Sequence, residues 1–598
     1  MIRQPVFLPM SLEEGHALGI DQFDIILITG DAYVDHPSFG TAVIGRVLWE
    51  AGYTVGVIAQ PDWQGKADFM RLGTPRLYFG ISSGNVDSMV NHYTAAKKRR
   101  NRDAYSPGGI RKRPDRATIV YTDRVHALFP KTPIVLGGIE ASLRRFAHYD
   151  YWSDRVRQSV LADAPADLLV FGMGERQVVE IARRISNGEE AGTIRDIPGT
   201  VYAMAPGNWL AGSGEEFVEL PDYQEVAKDP RRYAEAFALH YREQDPVRGR
   251  GVAQRHPKHV VVQNRPAKPL SSNEIDRVYE LPYSRQAHPC YRDTVPALEP
   301  VLYSLTSHRG CFGGCSFCAL THHQGRIIQS RSVASLVREL GRMVGMKGFR
   351  GIVTDVGGPT ANMYGYSCSR WETSGACPDR NCSPECPNLE PANRVHLEML
   401  TALRAVGKVK SVFVSSGIRY DLVPLNDREY LANLCAHHIS GHLKVAPEHI
   451  SPGILSLMRK PGLEQFESFR EKFETCQSGK KKRQYLLPYF MSGHPGCGIG
   501  DMVTLAEYIR DHRMYTEQVQ DFTPTPMSPS TCMYHTGLDP FSMRPVHIPK
   551  GREKQIQRAI LQYRDKSNRG LVIEGLRAAG RTDLIGSSSR CLVSRNPV

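Results

Sequence analysis

The sequence predicts an α/β protein: two regions of alternating strand and helix patterns, residues 1–205 and 299–545, joined by a polar connector over 206–298 and closed by a small basic helical segment over 546–598. Three observations carry that prediction. Short apolar runs alternate with amphipathic stretches in both regions, Gly-rich turns follow several of the runs, and six strand candidates with helices between them fall between residues 300 and 525. At 598 residues the chain is too long for one ordinary core. Its 41% hydrophobic and 23% charged content is that of a soluble globular protein. No apolar run approaches the ~18 residues of a membrane span, and the start, MIRQPVFLPMSLEEGH, lacks the apolar core of a secretory signal. A cytoplasmic protein is expected, with no membrane partner.

In the first region Asp24–Thr29 reads as a strand, residues 40–51 as a helix, and Thr54–Ala59 as the next strand; Pro133–Leu136 and Asp167–Phe171 are further buried strands. These pieces make a Rossmann-like layer. Its strand ends carry Gly30-Asp31, Gly137-Gly138 and Gly172-Met173-Gly174-Glu175, where open α/β sheets place ligands. The order of the pieces is similar to the cobalamin-type domain that precedes many radical enzymes. The Asp-x-His-x-x-Gly motif that would supply a lower histidine ligand is missing, because Asp35-His36-Pro37-Ser38-Phe39-Gly40 has the residue types at another spacing. Cobalamin is therefore a hypothesis. The connector is rich in Pro and Arg, with one helical stretch near Tyr233–Tyr241.

The six strand candidates of the second region are 301–306, 351–356, 411–416, 441–447, 484–491 and 517–523; Val333–Met343, Arg394–Val406 and Arg428–His437 have helical apolar spacing. Polar and Gly-rich motifs follow the strands, at the end where such folds carry active residues. Cys311-Phe312-Gly313-Gly314-Cys315-Ser316-Phe317-Cys318 follows the first, Gly357-Gly358-Pro359-Thr360 the second, and Ser415-Ser416-Gly417-Ile418-Arg419 the third. Pro447-Glu448-His449 follows the fourth and Ser492-Gly493-His494-Pro495-Gly496 the fifth. Glu448, His449 and His494 are candidates for substrate contact or proton transfer, and each is equally a candidate for a satisfied structural residue.

The spacing of Cys311, Cys315 and Cys318 lets one tight loop give three thiolates to an iron–sulfur cluster and leaves one iron without a protein ligand. A zinc loop is the competing reading, but zinc sites are usually closed by two cysteine pairs. With Phe317 before the last cysteine, this Cys-x3-Cys-x2-Cys run resembles the signature of the radical S-adenosylmethionine (SAM) superfamily. That resemblance implies a partial (β/α)6 barrel, a 4Fe-4S cluster on the trio, and SAM on its open iron. It further implies reductive cleavage of SAM to a 5′-deoxyadenosyl radical, and an electron donor of the flavodoxin or ferredoxin kind. Carried onto this chain, it sets Phe317 near the adenine and the Gly357-Gly358 backbone against the methionine amino group; Pro359 stands where the family has an acid. Arg419 would pair with the cofactor's carboxylate and Ser416 would reach its ribose, since a guanidinium fork matches a carboxylate.

A second cysteine group, Cys368, Cys377, Cys382 and Cys386, lies in an insertion over 361–390. Four thiolates in a segment with little to pack suggest a metal-organised loop, holding either zinc or an auxiliary iron–sulfur cluster. The other six of the 13 cysteines are scattered, which is no disulfide framework. The net charge of +13 includes the run Lys97-Lys98-Arg99-Arg100, nearby Arg111, Lys112 and Arg113, and a second run over Lys480–Arg483. Such runs suit phosphates, yet no RNA-binding module accompanies them, and solvated loops explain them as well.

Longer strings narrow the resemblance: HPSFGTAVIGR from His36, AQPDW from Ala59, DVGGPTANMYG from Asp355, Lys444–His449 and GRTDLIG from Gly580 are similar to the YgiQ-like radical SAM proteins. The likeness runs over nearly the whole chain and assigns cofactors, with no substrate. A radical SAM enzyme of unknown substrate is the expectation. An iron–sulfur sensor that leaves SAM intact and a metal-stabilised RNA-binding protein are the alternatives, the second of which predicts salt-sensitive RNA binding.

Overall fold

The computed structural model describes residues 4–209, 216–378, 381–423, 427–478, 482–514 and 519–594. Lys480 and Lys481 of the second basic run, and residues 517 and 518 of the sixth predicted strand, lie outside them. The first region opens with β1 (Ile25–Thr29), α1 (Gly40–Glu50), β2 (Val55–Ala59) and β3 (Tyr78–Ser82). It continues with α2 (Ala117–Leu128), β4 (Ile134–Leu136), α3 (Gly138–Leu143), β5 (Leu168–Val170) and α4 (Glu175–Ser186). The five strands run parallel in the order β2-β1-β3-β4-β5, with Ile25 opposite both Val55 and Tyr78. Every residue of β1 and β2 is buried, as expected of strands covered on both faces, whose sequences are continuously apolar. Strand β3 has no counterpart among the predicted strands. Gly80 interrupts its apolar run, because a side chain there would collide with Leu27 of β1.

The stretch read as a connector is part of this sheet. β6 (Thr200–Met204) runs antiparallel to β5, and β7 (Phe217–Glu219), β8 (Gly251–Arg255) and β9 (Val260–Gln263) extend it in the order β5-β6-β9-β8-β7, giving nine strands. The helix expected near Tyr233–Tyr241 is α5 (Pro230–Arg242), started by Asp229, whose side chain accepts from the Arg231 N–H. A further helix, α6 (Ser272–Glu280), carries a Ser271/Glu274 capping box and packs against the second region.

In the second region β10 (Ser304–Thr306) is followed by α7 (Val333–Val344), and a split second strand by α8 (Asn393–Arg404). The split strand is β11 (Ile352–Val353) and β12 (Asp355–Gly357). Then come β13 (Ser411–Val412), α9 (Arg428–His437), β14 (His442–Glu448), α10 (Leu463–Gln477), β15 (Tyr485–Ser492), α11 (Ile499–Asp511) and β16 (Val519–Asp521). The pairings among these strands are parallel: β10 with β12, β11 with β13, and β15 with both β14 and β16. Between β13 and β14 single bonds take the place of a regular ladder, the Ile418 N–H donating to Lys444 O at 3.2 Å. A helix α12 (Pro529–Thr536) leads to the tail helices α13 (Gly551–Leu561) and α14 (Arg569–Ala578).

The tail is no appendage. Ile556, Ile560, Val572 and Leu576 belong to the same continuous apolar core as the amino-terminal sheet, together with Phe490 of β15 and Met502 of α11. A second core lies among α7, α8, α9 and α10. No helix among the described residues is long and apolar enough to cross a membrane.

Candidate active site at the strand ends

The register of β10 against β12 sets Thr306 opposite Gly357. The cysteine loop that follows β10 and the Gly357-Gly358 turn that ends β12 therefore leave the sheet at the same level, on the same side. Cys311, Cys315 and Cys318 are all half-buried on that loop. Gly314 has φ +58°, and a side chain there would strike Asn381; at Gly313 the Arg419 guanidinium fills the space a side chain would need.

Hydrogen bonds hold the loop from outside. The Cys311 N–H donates to Gly325 O at 3.1 Å, the Ser316 N–H to Met458 O at 3.0 Å, and the Ser530 N–H to Ser316 O at 2.9 Å. His494 Nε2, Ser530 Oγ and Ser316 Oγ form a chain with links of 2.7 and 2.8 Å, while His494 Nδ1 donates to Pro495 O at 2.7 Å. Both ring nitrogens of His494 are thus occupied, and its ring takes the edge of Phe317 at 6.1 Å. Burial lowers its pKa to about 3, so it is a neutral latch on the loop.

At the root of the loop, buried Arg309 forms an ion pair with Glu175 and donates from Nε to the Tyr279 hydroxyl at 3.0 Å. Glu175 ends the Gly172-Met173-Gly174-Glu175 turn after β5, so a turn predicted to hold a ligand supplies a carboxylate to the base of the cysteine loop. The sequence carries no signal for this role of Arg309. Above this pair lies a cavity of about 570 Å3. Gly84, Gly137, Gly138 and Gly172 line one side of it, and Thr306, His308, Gln324, Gly357 and Gly358 the other. The amino-terminal side is where the strand order reverses between β1 and β3, the place at which open α/β sheets form their ligand crevice. Gly30-Asp31 does not reach it. Asp31 is buried in an ion pair with Arg113 at 2.6 Å and accepts from the Asn85 N–H at 2.7 Å. Burial still raises its pKa to about 6. Arg113 is consequently a core residue and no part of a basic surface patch, whereas Lys97–Arg100 are exposed or half-exposed.

His36 faces the fold interior, its Nδ1 accepting from the Ser38 N–H at 3.0 Å. His449 behaves similarly: its Nδ1 accepts from the Ser451 N–H at 3.0 Å and its Nε2 lies 3.7 Å from Cys497 Sγ. Arg419, expected to meet a cofactor carboxylate, already has one. Its Nε and Nη2 bind the two oxygens of Asp421 at 3.0 and 2.6 Å, and its backbone is clasped by Asn362 at 2.9 Å. Ser416 is exposed, with its N–H and Oγ on Asp355 Oδ1. Its Oγ stands against Gly357, which has no side chain to block it.

Glu448 differs from the two histidines. It ends β14 at a break in register, has φ +68°, is 4% exposed, and its Oε2 has no hydrogen-bond partner. A bulky residue held in the left-handed region is a strained position. Burial pushes its carboxyl up to about 7 against the opposing influence of Lys460. Lys460 went unnoticed in the sequence; it acts electrostatically on Cys311 as well as Glu448 and lines a cleft with Arg419 and Asp421. Arg459, with φ +55°, ends the preceding helix and turns the chain there, and the Arg-Lys-Pro run was the available signal.

The donor chemistry fits a cluster at the trio. Three thiols stand on one loop, and Arg419 and Lys460 offset the charge they would carry as thiolates. Burial, then the neighbouring cysteines, pushes Cys318 up to about 12, so loading releases protons. Among the described residues no three His, Cys, Asp or Glu side chains converge on a point that would hold one ion. Thiolates that serve separate irons of one cluster need no such convergence.

Residues 7–304 match the family model described as Radical SAM N-terminal, and residues 517–597 match a domain of unknown function, DUF3362. The two matches flank the segment that carries the trio. A UPF0313 protein of Methanosarcina acetivorans is 53% identical over 98% of this chain and 83% of its own length. One of Geobacter sulfurreducens is 52% identical over 96% and 95%. Among solved structures, the radical SAM methyltransferase TsrM from Kitasatospora setae, with tryptophan and a SAM analogue bound, aligns with TM-score 0.47 and 15% identity over 84% of this chain and 75% of its own. The cobalamin-dependent radical SAM enzyme OxsB aligns with TM-score 0.47 and 10% identity over 88% and 56%.

Proposed function

We propose, from the premise that this chain belongs to the UPF0313 family of radical SAM proteins, that it is a radical SAM enzyme whose second region is a six-stranded partial barrel. Cys311, Cys315 and Cys318 would hold a 4Fe-4S cluster, and SAM would lie between it and Gly357-Gly358. The observation that carries this reading is the shared level of the cysteine loop and the Gly357-Gly358 turn on paired strands, beside a cavity of about 570 Å3. When bound, the cluster and SAM supply one-electron cleavage of the C5′–S bond and hydrogen abstraction from a substrate.

The chain's own residues do the rest. Backbone N–H and C=O groups at Gly357 and Gly358 take up the methionine end at close range, Ser416 stands beside them for the ribose, and Lys460 is the cation within reach of the trio, since Arg419 is committed to Asp421. The paired Arg309 and Glu175 fix the loop's root, and the cavity next to it gives a substrate room beside the Gly357-Gly358 turn. Glu448, the one predicted acid–base candidate with an unengaged polar atom, holds or releases a proton near neutral pH. Anaerobic protein given SAM and a strong reductant is expected to form 5′-deoxyadenosine. A reconstituted cluster that yields none would overturn the reading.

A second reading concerns the cavity. Its place at the sheet's switch point suits a large flat cofactor of the cobalamin type, and His36 is turned away, so that cofactor would have no lower histidine from that loop. Corrinoid absorbance retained after anaerobic reconstitution and desalting is the expected outcome; its absence would leave the cavity to substrate alone.

A further inference from the structure

The insertion over 361–390 is held at many points along its rim. A two-residue ladder, Ser367–Cys368 against Leu389–Glu390, closes its base. The Leu389 N–H donates to Cys386 O at 3.1 Å and the Cys386 N–H to Ser383 O at 3.0 Å. From outside, Asp245 Oδ2 accepts from the Ala376 N–H at 2.7 Å, Arg326 donates to Cys377 O at 2.6 Å, and Asn381 Nδ2 donates to Arg459 O at 3.0 Å. Each cysteine-bearing segment is thus positioned separately.

The four cysteines lie in one neighbourhood. Cys382 is buried and lies within electrostatic reach of Cys377, Cys368 and Cys386, with Arg326 beside it. Cys368, Cys382 and Cys386 pack on one apolar cluster built on Phe312, Met363, Tyr366 and Trp371. All four are free thiols, with no disulfide among them. No three converge on a single-ion point, the arrangement a closed tetrahedral zinc site requires. The trio likewise forms no single-ion point; the quartet lies in an apolar surround with the Arg326 guanidinium to offset its charge, which is the setting of a thiolate-ligated cluster.

We propose that Cys368, Cys377, Cys382 and Cys386 bind a second 4Fe-4S cluster, closed by four thiolates, beside the trio. Cys311 of the trio packs on the same apolar cluster, so the two sites are neighbours across Phe312. The proposal stands without the SAM reading, since it concerns cluster content alone.

The test is metal and sulfide analysis with Mössbauer spectroscopy on the full chain, purified anaerobically. With Cys311, Cys315 and Cys318 all changed to Ala, about four irons and four sulfides per chain are expected to remain, with the doublet of a diamagnetic 4Fe-4S cluster. Adding Cys382→Ser and Cys386→Ser should remove them. In case the triple variant fails to fold, the same count is made on the otherwise native chain carrying Cys382→Ser and Cys386→Ser. There iron should fall by half, while the SAM-induced change in the reduced cluster's EPR signal persists. Stoichiometric zinc in the triple variant, no metal there, or an unchanged iron count in the double variant would overturn the proposal. Loss of the EPR response with iron halved as expected would count against the SAM reading alone.

Discussion

The two cysteine groups adjoin one apolar cluster around Phe312 and are built differently. The trio sits on a loop whose ends are fixed by paired strands, whose interior is bound to Met458 and Ser530, and whose root is fixed by Arg309 and Glu175. The quartet sits on an insertion with a two-residue ladder and a set of rim contacts. A site that must keep one iron open needs a scaffold that determines its shape without help from a fourth ligand. A site closed by four thiolates can take its shape from the cluster it binds.

The largest way to break that comparison is Cys315→Ala. Formation of 5′-deoxyadenosine is expected to fall to background while iron at the quartet stays; product that survives the change would remove the distinction between open and closed sites. Next in size is the anchoring. Glu175→Ala leaves Arg309 buried and unpaired and is expected to cost about 3–5 kcal/mol, read as a lowered denaturation midpoint of the cluster-free protein. Asp245→Ala, which cuts the quartet's rim, removes hydrogen bonds to backbone N–H groups and is expected to cost ~1–3 kcal/mol. Equal losses would show that both loops depend alike on the scaffold.

The effect of Glu448 carries a sign. Its folded pKa, about 7, lies above the ordinary 4.5, so the folded state binds the proton more tightly. Its contribution to stability is greatest below pH 4.5 and declines as pH rises through the interval to 7, by ~3 kcal/mol at most. Glu448→Gln should flatten that decline in denaturation curves taken between pH 4.5 and 8; a parallel decline in both proteins would assign it to other groups. The smallest effect belongs to the latch. Ser530→Ala breaks the link between His494 and Ser316, worth ~1 kcal/mol, and should speed iron loss from the trio to a chelator a few-fold while leaving the quartet's rate unchanged.

Much of the fold was legible in advance because it rests on local pattern. The apolar runs of β1 and β2 stand out, since strands buried on both faces must be continuously apolar; in the second region the alternation of strand candidates with amphipathic helices is what shows. Strand β3 was hidden by Gly80, whose presence is explained only by Leu27 from a neighbouring strand. The polar stretch over 206–298 read as connector because its strands lie beyond the sheet's parallel half and are short. At the site, the trio and the Gly357-Gly358 turn were visible as motifs. The charge partners were not: Arg419 was assigned to a cofactor because nothing in the sequence says that Asp421, two residues on, would fold back and fill its fork. His449 and His494 looked equal to Glu448 until packing gave both their nitrogens neighbours and left the Glu448 carboxyl without a partner for Oε2.

By itself the sequence determined what depends on spacing along the chain: three thiols within eight residues, glycines where the loop turns, and strands frequent enough for two α/β regions. Tertiary structure decided what depends on long-range approach. It joined Glu175 to Arg309, brought Lys460 near Cys311, set three cysteines of the insertion on one apolar cluster, and placed the strand ends of another sheet across a cavity from Gly357 and Gly358. Spacing is written in covalent geometry, whereas charge pairing and burial are fixed only when segments far apart in the chain pack together.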